Sequence, residues 1–369
     1  VGGGGAFPGM FRETSTGTTF DLGNFEYLRA NGDVYIIFRS LSTGGAPGYS
    51  ALTLRKQDGK LKAVGNQYRY AASVAPYVSQ REFPRQPEFS SLMTGYNMNI
   101  TNAVDGNGQM LFNGAKVTTP DGRTLHLRTL AGRSQMAIVR DNTTTSTSTE
   151  LVAGAFVNPA TAGDPGDKDA SLVFTPTRLS DAEIRSIPDQ GVWTVEWEHA
   201  DPDKPNVTQH YRTISRAPTL GELRRTPLVQ FSPAFKDDLL ARSDVQANRG
   251  LEFADPSAES PNVANVALAG GGDAWIVPDG ATAPTRVNVY GRTPWPENAS
   301  FNNGVSLAAG ARSAVVRCSA QSAGDTHCDD TTGTPQFAAG SRLWTFELWG
   351  RTIRQVEQTA HIGLWKLAE

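Results

Sequence analysis

Leu52-Thr53-Leu54-Arg55-Lys56-Gln57-Asp58-Gly59-Lys60-Leu61-Lys62-Ala63 is the stretch on which the fold turns. Leu52 and Leu54 alternate with Thr53 and Arg55, an Asp-Gly pair follows, and Leu61 and Ala63 then alternate with Lys60 and Lys62. Successive side chains of an extended chain point to opposite faces, so this period of two predicts a pair of strands. Asp-Gly reaches positive φ at little cost, which a two-residue hairpin turn requires. The stretch therefore predicts a β-hairpin. A second hairpin follows the same logic: Val117 and Thr119 lead into Pro120-Asp121-Gly122, after which Leu125 and Leu127 alternate with His126 and Arg128. Upstream, Asp33-Val34-Tyr35-Ile36-Ile37-Phe38 is apolar on both alternating faces, the pattern of a central strand.

The bulk composition agrees with a strand-rich chain. The 369 residues suffice for two or three domains with real cores. Gly (37) and Pro (22) are abundant, as many short strands joined by tight turns demand. Lys+Arg 34 against Asp+Glu 37 leaves a net charge of -3, with no basic field to draw in nucleic acid. No run of ~18 apolar residues occurs, so no membrane-crossing helix is expected. Val1-Gly2-Gly3-Gly4-Gly5-Ala6 has neither the basic start nor the apolar stretch of a signal peptide. It reads instead as a flexible tether.

That glycine run resembles the spacer after the lipidated cysteine of mature bacterial lipoproteins; an engineered linker reads the same way. The resemblance implies export and anchoring at the cell envelope. The hairpin 52–67, with its Gly65-Asn66-Gln67 ending, resembles the last strands of cystatin-like folds such as the nuclear-transport-factor-like domains. The helices such a fold needs before its sheet are not found upstream.

Composition shifts suggest an organisation into a Gly-rich tether (1–18), an N-terminal β domain (19–142), a Thr/Ser linker (143–150), a sandwich-like module (151–228) and a C-terminal β-sandwich (229–369). In the second module strands are expected around Leu172–Thr175, Trp193–Glu198 and Gln209–Ile214. Ser180-Asp181-Ala182-Glu183 and Thr219-Leu220-Gly221-Glu222 are capping boxes that start short helices. The strand spacing here resembles fibronectin-III or immunoglobulin-like sandwiches. In the last module Ser232-Pro233 opens a helix through Leu240. Strands are then expected at Asp273–Val277, Arg286–Tyr290, Ser313–Arg317, Leu343–Trp349 and Gln355–Trp365. The fold class is mainly β: two or three β-sandwich-like domains with a few short helices.

Cys318 and Cys328, the only cysteines, flank small and polar residues. They fit a disulfide-closed hairpin loop, and hence an oxidising compartment; the alternative is two free thiols. Their spacing does not match a metal site.

Candidate chemistry is sparse. There is no Gly-x-Ser-x-Gly elbow, phosphate loop, Cys-x-x-Cys or His-Glu-x-x-His. Glu196 and Glu198 share one strand face, the geometry of a glycosidase pair, but Trp193, Val195 and Trp197 form the opposite apolar face, so a solvated face explains the glutamates. Asp201, Asp203, His199 and His210 cluster around a turn, Asp105-Gly106-Asn107-Gly108-Gln109 echoes the start of a calcium loop, and Asp164, Asp167 and Asp169 form another acidic group. Asp325, His327, Asp329 and Asp330 crowd the cysteine loop. Each reads more simply as a surface turn, so neither metal nor cofactor is expected. Five of seven tryptophans lie in the last module. Along 343–349, Trp344, Phe346 and Leu348 share one face, while Thr345, Glu347 and Trp349 share the other. If the first face is core, Trp349 is exposed beside two polar residues, Thr345 and Glu347. Trp295, between Pro294 and Pro296, belongs to a loop. These residues are the candidate binding platform, since a rigid indole can stack on a sugar ring.

The sequence thus favours a non-catalytic interaction or scaffold protein, periplasmic, outer-membrane-anchored or extracellular, meeting a protein or glycan at the cell surface. A carbohydrate-binding protein using Trp295, Trp349 and Glu347 is one alternative. An extracellular hydrolase using Glu196, Glu198 and His199 is the other.

Overall fold

The structure, a computed structural model, describes residues 19–28, 32–41, 48–64, 69–87, 90–129, 134–140, 144–145, 149–154, 177–247, 263–292, 300–317 and 343–365. Cys318, Cys328, Trp295, the strand expected at 172–175 and the acidic groups at 164–169 and 325–330 lie outside these residues.

The chain is mainly β. Strands β1 (Thr19–Leu28), β2 (Val34–Leu41), β3 (Gly48–Gln57) and β4 (Lys60–Ala63) form an antiparallel sheet in chain order. β2 lies between two neighbours, and Ile36, Ile37 and Phe38 are all buried, so both its faces are covered. Between β3 and β4, Asp58 and Gly59 take φ of 53° and 75°, the positive pair the Asp-Gly turn predicts. Burial, however, does not follow the apolar positions of that hairpin. Thr53 is buried, whereas Leu61 is 56% exposed. The cause is position in the sheet: β4 bonds only to β3, and its lysines keep this outer edge in water.

The next strands are β5 (Ala72–Glu82), β6 (Ser91–Ile100), β7 (Phe112–Thr118), β8 (Thr124–Thr129), β9 (Met136–Arg140), β10 (Thr144–Thr145), β11 (Glu150–Ala153) and β12 (Thr177–Arg178). Helix α1 (Asp181–Ser186), β13 (Val192–His199), β14 (Val207–Arg212), the short helix α2 (Leu220–Leu223) and β15 (Gln230–Phe231) follow. The last part holds α3 (Pro233–Ala247), β16 (Val263–Val266), β17 (Trp275–Ile276), β18 (Arg286–Arg292), β19 (Ser300–Ser306), β20 (Ala314–Arg317), β21 (Leu343–Arg351) and β22 (Glu357–Trp365). Both predicted capping boxes are formed, with Ser180 and Thr219 each accepting from the backbone amide of the glutamate three residues on. Ser232 Oγ accepts from the Phe235 amide at 3.1 Å and so starts α3, which runs beyond Leu240 to Ala247.

Two large sheets organise the molecule. One has six strands in the order β10-β9-β8-β7-β13-β14, the other eight in the order β12-β11-β6-β5-β22-β21-β18-β19. β13 pairs with β7, and β11 pairs with β6, so strands from both sides of the Thr/Ser run at 143–150 share sheets. Two cores lie on one face of the eight-stranded sheet. The first packs Trp193, Val195, Trp197, Val117 and Leu127 of the six-stranded sheet against Tyr96, Met98, Ile100 and Leu151, a sandwich arrangement. The second packs Val287, Val289, Trp344, Phe346, Leu348, Ile362 and Leu364 against Phe235 of α3 and Trp275. Burial of aromatic and branched side chains at these sites supplies roughly 1.5–3 kcal/mol each before entropy is counted. Between the cores, β22 pairs with β5 in parallel, Glu357 to Ile362 opposite Tyr77 to Glu82. Among the described residues this is the one strand pairing that joins the two halves.

Candidate functional site

The parallel seam fixes which residues share the opposite face of the eight-stranded sheet. His361 stands opposite Arg81 of β5 on one side and Glu347 of β21 on the other. Thr359 stands opposite Ser79, and Tyr290 of β18 opposite Thr345. Apolar residues fill the core face, so alternation places this polar row on the other. The row is nevertheless buried: His361 is 4% exposed and Ser79, Tyr77, Thr345 and Thr359 are buried with it. A polar group removed from water needs a hydrogen-bond partner, and this row supplies them.

Thr359 Oγ1 lies 3.3 Å from the Val78 carbonyl and 2.7 Å from His361 Nε2; with its one proton on the carbonyl, it accepts from Nε2–H. With the proton on Nε2, Nδ1 is left to accept from the Tyr290 hydroxyl at 3.0 Å. In this tautomer both ring nitrogens are satisfied with the imidazole neutral. Burial, helped by the cation of Arg81, holds His361 well below the ordinary histidine range. Glu347 Oε2 is 3.4 Å from Nδ1, and Asn288 Nδ2 donates to Glu347 Oε1 at 2.6 Å. Burial pushes the Glu347 carboxyl up in spite of that donor and of Arg81. The Tyr77 hydroxyl is pushed up to about 12, chiefly by burial, and burial also raises Tyr290. Burial opposes the charge on Arg81, but Tyr77, Tyr290 and Glu150 outweigh it, so its guanidinium is held charged.

On the core side of the same sheet, next to the seam, the surface opens into a groove of about 740 Å³. Tyr49 of β3, Asp189 and residues from 215–226, 280–285 and 351–358 line it. Its charges are matched in pairs. Arg216 grips Glu222 through two nitrogens at 2.8 and 2.6 Å, Arg354 Nη2 meets Asp189 Oδ2 at 2.8 Å, and Arg351 pairs with Glu357. Arg216 and the Thr219 amide bring Glu222 down to about 2, a carboxylate held ionised at neutral pH.

The residues singled out from sequence fall in different places. Trp344, Phe346 and Leu348 are core, as their shared face predicts. On the opposite face Trp349 is half-buried rather than exposed, with the Arg351 guanidinium 5.3 Å from its ring centre, and Glu347, 15% exposed, belongs to the polar row. Glu196 and Glu198 occupy the solvent side of β13, with Lys116 at 3.4 Å from the first and Arg128 at 2.6 Å from the second. His199 accepts from the Asp201 amide, and His210 meets Thr194, so the two histidines do not converge. Asp105 accepts from the Asn107 and Gln109 amides, an Asx turn whose donors lower its carboxyl. Among the described residues no cluster of three metal-ligating side chains occurs. Sequence reasoning did not single out Tyr77, Arg81, Tyr290 or His361.

No protein-family model matches the chain, and no curated protein matches it. Among solved structures it is similar to a Ca²⁺-stabilized adhesin with which an Antarctic bacterium binds ice (8% identity, 94% of this chain and 64% of that chain, TM-score 0.18). It is also similar to a 1.5-MDa bacterial ice-binding adhesin (8% identity, 94% of this chain and 84% of that chain, TM-score 0.18). A third is a tetra-tandem repeat from the extending region of a large adhesion protein (12% identity, 95% of this chain and 66% of that chain, TM-score 0.18). The chain spans under two thirds of the length of the first of these. TM-scores of 0.18 establish neither a common fold nor a common role.

Proposed function

We propose that the chain is a non-catalytic interaction or scaffold protein of the cell envelope or extracellular space, holding a partner protein in the groove beside the seam. The observation that carries this reading is the groove itself. It is open, built from residues far apart in the chain, from Tyr49 to Gln358, and its arginines and carboxylates are already matched, so a polar partner surface meets a preformed, nearly neutral wall. A carboxylate held ionised near 2, as Glu222 is, is a poor proton donor at neutral pH, which argues against general-acid chemistry there. A protein partner is favoured over a glycan because the Arg351 guanidinium lies over the Trp349 ring that a sugar would need. The disulfide-like spacing of Cys318 and Cys328 supports the location.

The test is binding to a purified envelope-protein array and a glycan array, by the wild type and by Ala283→Trp, which fills the groove from an exposed position. The expected result is protein binding that Ala283→Trp abolishes while circular dichroism stays unchanged. Equal binding by both forms contradicts the reading, and so does turnover of a glycan that Glu196→Gln removes.

A further inference from the structure

His361 is hydrogen-bonded at both ring nitrogens, buried in the strand pairing that joins the two cores, and stands directly opposite Arg81. The groups facing it or acting on its row, among the described residues, are Arg81 and Tyr77 on β5, Glu347 on β21, Tyr290 and Arg286 on β18, Glu150 on β11 and Glu357 on β22. A proton added at Nδ1 finds its nearest carboxylate oxygen, Glu347 Oε2, only at 3.4 Å, beyond an ordinary hydrogen-bond length, and the Tyr290 oxygen receives it only by turning its own proton away. Nε2–H already serves Thr359, and Asn288 already donates to the other oxygen of Glu347.

We propose that this seam is an acid-sensitive joint: protonation of His361 sets a buried cation opposite Arg81 and loosens the β22–β5 pairing between the two halves of the molecule. Val356, just before β22, and Gln358, within it, line the groove, so loosening the seam also shifts the groove wall. That consequence for partner holding rests on the functional reading above; the joint itself does not.

The sign follows from linkage. The folded chain holds the imidazole proton less tightly than a free histidine, whose ordinary value is about 6.5. The stability His361 contributes is therefore complete above that value and lost as pH falls below it, toward the depressed folded value. Glu347 works the other way. Its raised carboxyl favours the folded chain at low pH and loses that advantage as pH rises, so the two effects must be separated by substitution.

The experiment is backbone hydrogen exchange of the amides of 77–82 and 357–362 from pH 7 to pH 5, corrected for the intrinsic chemical rate, in the wild type and His361→Gln. The opening constant of the wild-type seam, relative to the variant, is expected to rise about tenfold for each pH unit below the free histidine value. Identical pH slopes in the two proteins overturn the proposal. Should His361→Gln not fold, the wild-type imidazole is followed by NMR, its signals identified through contacts with the Tyr290 ring. A ring that stays neutral until the seam amides lose protection supports the joint. A ring that titrates near its ordinary value while the seam stays protected refutes it.

Discussion

His361 and Glu347 show how far burial can take a polar side chain from its usual behaviour. Glu347 sits on the strand face that alternation assigns to solvent, yet its carboxyl is buried among Asn288, His361 and Arg81. A raised carboxylate weakens the folded state as pH rises through the raised value. Glu347→Gln keeps the acceptor for Asn288 and removes the charge, so the variant is expected to melt higher than the wild type, with a larger difference at pH 8 than at pH 5. Thermal melts across that range check it, and a Tm difference independent of pH counts against the assignment. Tyr290→Phe removes the donor to Nδ1 and leaves a buried acceptor unpaired. The expected cost is about 1–3 kcal/mol, read from urea unfolding at pH 7. None of this row is visible in the sequence. Its members come from β5, β18, β21 and β22, and period-two alternation shows only which residues share a face, not what covers that face.

Individual elements were the most legible level. The two Asp-Gly hairpins, both capping boxes, the α3 start at Ser232 and the core face of β21 all follow from local rules, because turn dihedrals, orphan amides and alternation are satisfied within a few residues. β5 escaped notice for an equally local reason. Pro76 lies inside it, and proline normally argues against a central strand. The structure accommodates it because pairing with β22 begins only at Tyr77, one residue later. Tight pairing elsewhere gives a sharper expectation. A Cβ on Gly95 would fall 2.1 Å from the Leu151 carbonyl oxygen, which is backbone and cannot swing aside. Gly95→Ala should therefore separate β6 from β11 and destabilise the chain by roughly 1–3 kcal/mol, with faster hydrogen exchange at 150–153 than in the wild type. Removing the Trp197 indole from its sandwich core should cost more, about 3–5 kcal/mol for Trp197→Ala in urea titration.

At the scale of the whole molecule, the long eight-stranded sheet carries two cores on one face, a buried polar row on the other and a groove beside the strand pairing that joins them. Sequence could not foresee this, since a parallel pairing between segments from opposite ends of the chain leaves no local mark. Because β22 and β5 are neighbours in one sheet, neither core can unfold at neutral pH without exposing the other's edge strand, and the two should melt together. Labelling with 5-fluorotryptophan gives each core its own reporter, Trp197 in one and Trp344 in the other. In urea at pH 7.5 the two fluorine signals are expected to change with the same midpoint and slope. Two separate midpoints, one core lost while the other stands, would contradict the shared sheet.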